Sequence, residues 1–178
     1  KQKRSLGVSD RELIKIAVKS MGLDDLYPFK SEEKIIEYMI EDKRKKLLAD
    51  MSLQDFMDET ASESVAPGGG SVAACMGSLG VALGTMVANL SSHKRGWDER
   101  WEEFSDWAEK GKACHDELLR LIDEDTNAFN RIMAAFGLPE SSAEEKSAKH
   151  MAVQQATKEA IEVPFRVMEK SVECMEVC

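Results

Sequence analysis

At 178 residues the chain is long enough for one full hydrophobic core, or for one domain plus a tail from another. Its 43% hydrophobic, 32% charged and 6% aromatic content suits a helix-rich globular protein, and a net charge of −9 argues against a general nucleic-acid binder, which needs a basic face. Cys75, Cys114, Cys174 and Cys178 form no Cys-x-x-Cys pair and no framework spacing, so they read as reduced thiols of a cytoplasmic protein.

Ser9 and Glu12 form a capping box for a helix from about Asp10, in which Leu13, Ile16, Ala17 and Met21 recur at helical spacing until Gly22 stops it. Pro28 breaks the chain, and a short helix is predicted over 32–40 with Ser31 as its cap. The basic run Lys43 to Lys46 lacks a buried face, which makes 41–51 a linker. Ser52 and Asp55 cap the next helix, whose Leu53, Phe56 and Met57 face a core and which dies in Ala61-Ser62-Glu63-Ser64. The run Ala66-Pro67-Gly68-Gly69-Gly70-Ser71 follows, with Ser71 predicted to cap a helix reaching about Asn89.

The stretch from Ser71 to Leu90 is uncharged and about as long as a membrane span. Its glycines and hydroxyl residues, and its isolation as a single such segment, favour a buried central helix over a membrane helix. Ala73, Gly77, Gly80, Gly84 and Ala88 form a small-residue stripe along it, which predicts close approach of another backbone or a flat ligand. A long helix is expected from about Asp98 to Phe136, bent near Gly111, with Trp97, Trp101 and Trp107 anchoring its start in the core. Pro139 ends it, Ser142 and Glu145 form a capping box, and the last helix runs to Glu162, is kinked by Pro164 and resumes from Phe165. No strand-period segment or hairpin signal is visible, so the fold class is all-α, an antiparallel up-and-down helical bundle with a short helical N-terminal tail.

Asp125 carries the clearest chemical signal. On a helical wheel Phe104, Trp107, Cys114, Leu118, Ile122, Phe129, Ile132 and Phe136 share one line, Asp125 falls on it, and Asp123 and Glu124 point away. A carboxylate in an apolar seam is paired, protonated or functional, because burying it alone is costly. Acid–base catalysis and a hydrogen-bonded core aspartate both remain open on the wheel alone. The glycine-rich lead-in to the central helix offers backbone N–H groups at a helix N-terminus, which suits ligand binding or a plain turn. No Gly-Lys-Ser/Thr follows it and no strand precedes it, so it is neither a P-loop nor a dinucleotide fingerprint. His93, His115 and His150 lie far apart, and no metal is expected.

Ser52-Leu53-Gln54-Asp55-Phe56, the Ala66–Ala74 glycine block, Met86-Val87-Ala88-Asn89-Leu90 and Asp123-Glu124-Asp125-Thr126-Asn127-Ala128-Phe129 together resemble the cyclodeaminase/cyclohydrolase family of folate enzymes over residues 52–178. Residues 1–40, with Gly22-Leu23-Asp24-Asp25-Leu26, Pro28-Phe29 and Glu33 to Tyr38, resemble the C-terminal end of glutamate formimidoyltransferases. The resemblance implies a tail (1–40), a linker (41–51) and a cyclodeaminase part (52–178) of the kind joined in bifunctional formimidoyltransferase-cyclodeaminases of histidine degradation. It implies an ammonia-lyase that turns 5-formimidoyltetrahydrofolate, often polyglutamylated, into 5,10-methenyltetrahydrofolate and ammonia. Tetrahydrofolate would be the substrate carrier, and the family's carboxylate would fall on Asp125.

Gly68, Gly69, Gly70 and Ser71 would then hold folate or shape a dimer cleft, with Asn89 and Lys94 as weaker contacts. A homodimer or higher homo-oligomer is expected, with no nucleic-acid or membrane partner. The chain starts at Lys1, and the resemblance implies a slice of a longer protein, with activity expected of the whole. The alternatives are a methenyltetrahydrofolate cyclohydrolase and a non-catalytic helical assembly module.

Overall fold

A computed structural model describes residues 10–25, 27–40 and 47–178. Among them there are helices and turns and no strand, as the all-α reading requires. The first helix, α1 (Asp10–Ser20), ends as its glycine predicts: Gly22 has φ 65°, a left-handed conformation open to glycine. There Leu23 N–H donates to Val18 C=O at 3.0 Å and Gly22 N–H to Lys19 C=O at 3.2 Å, closing the helix end. Ser9 of the expected capping box and the basic run 43–46 lie outside the described residues.

The single helix expected over 32–40 is two short ones, α2 (Ser31–Lys34) and α3 (Ile36–Ile40), with Ile35 extended between them. Ser31 is the first helical residue and not the cap, which is Lys30. Ile35 and Ile36 are β-branched, and Ile36 and Met39 stay exposed, so burial of these two side chains does not offset weak local propensity.

α4 (Leu53–Thr60) starts at Ser52, whose Oγ accepts from Asp55 N–H at 3.0 Å. Phe56 is the only side chain that α4 buries. Three long helices then form the bundle: α5 (Gly69–Ser92), α6 (Trp101–Phe136) and α7 (Ala143–Met175). A turn at Gly96 (φ 90°) and a capping box at Ser142 and Glu145, with both reciprocal bonds present, separate them. Contacts fix the directions: the start of α5 meets the later half of α6, and Glu117 and Arg131 of α6 pair with Arg166 and Glu159 of α7. Both neighbouring pairs are therefore antiparallel. Leu118, Leu121 and Ile122 of α6, Ala74 and Val81 of α5, and Val163, Val167 and Cys174 of α7 fill the centre, with Phe56 at one end.

Several expectations need correcting. The buried seam of α5 is Ser71, Ala74, Ser78, Val81, Thr85, Ala88 and Ser92, while Ala73 and Gly80 of the predicted stripe are exposed. Hydroxyls can enter this seam because they are satisfied locally, Thr85 Oγ1 donating to Val81 C=O at 2.8 Å and Ser92 Oγ to Asn89 C=O at 2.8 Å. Close approach does occur at Gly77, where an added Cβ would lie 3.2 Å from Leu118, and at Gly84, where it would lie 3.0 Å from the Val177 carbonyl oxygen. Nor is α5 a fully buried helix. α6 and α7 cover one face, and Met76, Leu79, Leu83, Met86, Val87 and Leu90 remain 50–68% exposed on the other.

α6 begins at Trp101 behind a 3-10 turn and runs unbroken through Gly111. Its buried line passes through Ser105, Ala108, Gly111, Cys114, Leu118 and Leu121, which leaves Trp107, Phe129 and Phe136 exposed on a flank. Trp97 is also outside the core and stacks on Phe104 with ring centroids 5.2 Å apart. Pro164 does not interrupt α7, because Val163 and Val167 on either side of it are locked in the core.

Candidate active site

Three consecutive acids on α6 take three different partners. Asp123 accepts from Leu48 N–H at 2.7 Å and Ala49 N–H at 3.2 Å. Glu124 pairs with Arg120 at 2.6 Å and with Arg166 of α7 at 3.3 Å. Asp125, half-buried, turns to the N-terminus of α5, where its Oδ2 accepts from Ser71 N–H at 3.0 Å. Among the described residues Asp125 has no cationic partner, which sets it apart from Glu124 and from Glu117.

Gly68 is the residue that caps α5, and it has no side chain to satisfy the first-turn N–H groups. Asp125 supplies the missing acceptor from another helix. Ser71 was expected to be the cap, yet it is the third helical residue and fully buried. Its Oγ lies 2.7 Å from Ile122 C=O and 3.2 Å from Asp125 Oδ2. One hydroxyl proton cannot serve both at once, so the shorter bond goes to the carbonyl and a lone pair is left towards the carboxyl group. Thr126 Oγ1 stands 3.5 Å from the same hydroxyl.

The glycines differ in role. A Cβ on Gly70 would overlap Asp125 Oδ1, and one on Gly68 would lie 3.3 Å from Oδ2, so the carboxylate rests directly on this backbone. Gly69 faces away, with nothing within 4 Å of an added Cβ. Oδ1 accepts no hydrogen bond among the described residues and lies against the Gly70 backbone. None of the described cavities is lined by Asp125; one of about 420 Å³, lined by Leu47, Asp123, Asn127 and their neighbours, is on the Asp123 side of α6.

Asn89 and Lys94 are not brought to Asp125 within one chain. Asn89 is about 27 Å along α5 from Ser71 at 1.5 Å per residue. Lys94 Nζ instead sits 4.6 Å from the centre of the Trp97 ring. The wheel placed Asp123 and Glu124 on the outside and so missed what they do. Glu117 and Arg166, joined at 2.8 Å across α6 and α7, carried no local signal either. The Arg120 and Arg166 guanidiniums hold the Glu117 carboxyl below its ordinary value.

The sequence profile of a family described as Formiminotransferase-cyclodeaminase matches residues 52–178, and that of a Formiminotransferase domain matches residues 1–41. The chain is 38% identical over 165 residues to a Formimidoyltransferase-cyclodeaminase of Gallus gallus, covering 92% of this chain and 30% of the relative. To the protein of the same name from Rattus norvegicus it is 36% identical over 163 residues, again 30% of the relative. A Methenyltetrahydrofolate cyclohydrolase of Methylorubrum extorquens is 35% identical over 127 residues, which is 71% of this chain and 58% of that protein. The chain thus spans under a third of the length of the bifunctional relatives.

Proposed function

The chain belongs to the formiminotransferase-cyclodeaminase family, and on that footing we propose that it forms the cyclodeaminase centre of a bifunctional enzyme of histidine degradation, with Asp125 as the acid–base group. The substrate is 5-formimidoyltetrahydrofolate, in mono- or polyglutamylated form, and the products are 5,10-methenyltetrahydrofolate and ammonia. The observation that carries this reading is the carboxylate held by Ser71 N–H through one oxygen while the other accepts no hydrogen bond among the described residues.

In the reaction N10 of the folate attacks the formimidoyl carbon on N5. The imine nitrogen must gain two protons to leave as ammonia, one from N10 and one drawn from solvent or from the protonated amidine. Asp125 accepts the N10 proton and returns it to the departing nitrogen. The Ser71 hydroxyl suits both states of the carboxyl group: it can donate to the carboxylate, or accept from the acid while donating to Ile122 C=O. Acid–base assistance of this kind contributes about 10²–10⁴-fold.

In this reading Gly70 seats the carboxylate and Ser71 holds it, while Gly68 and the exposed Gly69 are the part of the turn left for the folate to lie against. The exposed apolar face of α5 is covered in this reading by a second copy of the chain. An antiparallel crossing centred near Leu83 would set Asn89 and Lys94 of one copy opposite the Asp125 end of the other, which gives those two residues a route to the substrate. Four free cysteines favour a reducing, cytoplasmic setting.

The cyclohydrolase relative supports a second reading, in which the same carboxylate hydrolyses the methenyl ring. The match of residues 1–41 to a formiminotransferase domain favours the deaminase. Assaying the whole enzyme for ammonia release from 5-formimidoyltetrahydrofolate, and separately for hydrolysis of the methenyl compound, decides between them. Ammonia release without hydrolysis supports the deaminase, and hydrolysis alone rejects it.

A further inference from the structure

The segment that enters the bundle from the linker is held at both of its ends by the same stretch of α6. At its start, Asp123 takes one N–H on each carboxylate oxygen, Leu48 at 2.7 Å and Ala49 at 3.2 Å. At its finish, Ser71 binds Ile122 C=O and Asp125 Oδ2. Between these ties α4 buries only Phe56, while Leu48 and Met51 pack part-buried against the core near the Asp123 clamp. The placement of α4 therefore depends on its ends, and the Gly68–Ser71 turn that carries Asp125's partner is one of those ends.

From this we propose that Asp123 is a positioning residue: by clamping Leu48 and Ala49 it makes docking of the incoming linker a condition for the turn that holds Asp125 in place. The assignment of a catalytic purpose rests on the ring-closure reading above; the mechanical coupling does not. Asp123 touches no reacting atom. It supplies the acceptors that the first N–H groups of a helical turn require. Without it, nothing else among the described residues bonds those two amides, and the start of the 48–71 segment loses its polar tie to α6. The placement of residues 48 and 49 and the alignment of the carboxylate are thereby linked, and residues 42–51 lie between the two family matches.

The test is Asp123→Ala in the whole protein, followed by amide hydrogen exchange at Leu48, Ala49 and Ser71 and by steady-state ring closure with free 5-formimidoyltetrahydrofolate. Asp123→Asn, which keeps one acceptor oxygen, serves as the conservative variant and stands in if the alanine variant fails to fold. Loss of hydrogen bonds to a charged group is expected to speed Ser71 exchange about tenfold or more, alongside Leu48 and Ala49. Ring closure is expected to lose kcat with little change in KM, and the asparagine variant to fall between alanine and wild type. Faster exchange at Leu48 and Ala49 with Ser71 unchanged overturns the proposal. A wild-type enzyme that releases no ammonia would instead reject the ring-closure reading and leave the exchange result to decide the coupling.

Discussion

Ser71 N–H donates to Asp125 Oδ2 at 3.0 Å, joining the first turn of α5 to the middle of α6 across more than fifty positions of sequence. The bond does two jobs. It caps a helix whose own N-cap residue is Gly68, and it aims a carboxylate whose second oxygen accepts no hydrogen bond among the described residues. The structural role of this side chain and the chemical role proposed for it must therefore be separated by experiment.

Gly70 offers one way to do so. Its missing Cβ is the space that Asp125 Oδ1 occupies, so Gly70→Ala forces the carboxylate off its seat. Misplacement of a catalytic group by about 1 Å costs on the order of 10²-fold in rate. Ring closure is expected to fall by about that factor. Gly69→Ala meets no neighbour, and its melting temperature should match or exceed wild type. A wild-type rate for Gly70→Ala would show that the position of the carboxylate does not matter.

The α5–α6 seam is tightest where Gly111 faces Thr85. A Cβ at 111 would collide with Thr85 Oγ1, itself bonded to Val81 C=O at 2.8 Å. Gly111→Ala should cost about 1–3 kcal/mol in urea unfolding, with part of the loss recovered in the Gly111→Ala/Thr85→Ala double variant. Gly80 has nothing within 4 Å of an added Cβ, so Gly80→Ala should stabilise the isolated chain by about 0.5–1 kcal/mol.

Cys114 and Cys174 are buried together where α6 meets α7. Burial, reinforced by the Cys114 thiol beside it, pushes Cys174 from an ordinary value of 9.0 up to about 12. A thiol whose pKa is higher in the folded state contributes stability that is complete below the unfolded value and disappears as pH rises through the folded one. Unfolding free energy should therefore drop on the order of 1 kcal/mol between pH 9 and 10, and Cys174→Ala should flatten that slope. Iodoacetamide at pH 8 should label the exposed Cys178 long before either buried thiol.

The uncovered face of α5 predicts association. Leu83 lies near its centre and is 62% exposed. Leu83→Glu should convert a dimer to a monomer in sedimentation at micromolar concentration and lower ring closure with it. A monomeric wild type of full activity would remove the role assigned to the second copy. Partitioning of the wild type onto neutral vesicles would assign the face to lipid.

Much of the fold was legible. Helical periodicity and the caps at Ser52 and Ser142 placed the helices, because those signals are local. The small-residue stripe of α5 marks close approach at Gly77 and Gly84, but the helix also buries Ser71, Ser78 and Thr85, and hydroxyls such as those of Ser71 and Thr85 find acceptors only once the backbone is folded. Pro164 lies within α7 instead of separating two helices, and the burial of Val163 and Val167 around it depends on packing that no local window contains. At the site, Asp125 stood out by its place on the wheel and Gly70 by its type. The roles of Asp123 and Arg166 depend on chain segments far away in sequence, and no window around either residue contains their partners.

The most direct measurement is ammonia release by Asp125→Asn in the whole enzyme, with formimidoyl transfer to tetrahydrofolate followed in parallel. Asparagine can still accept from Ser71 N–H, so the cap survives while proton transfer is lost. Ring closure should fall by at least about 10²-fold with transfer unchanged. Ammonia released at the wild-type rate would contradict the role of Asp125.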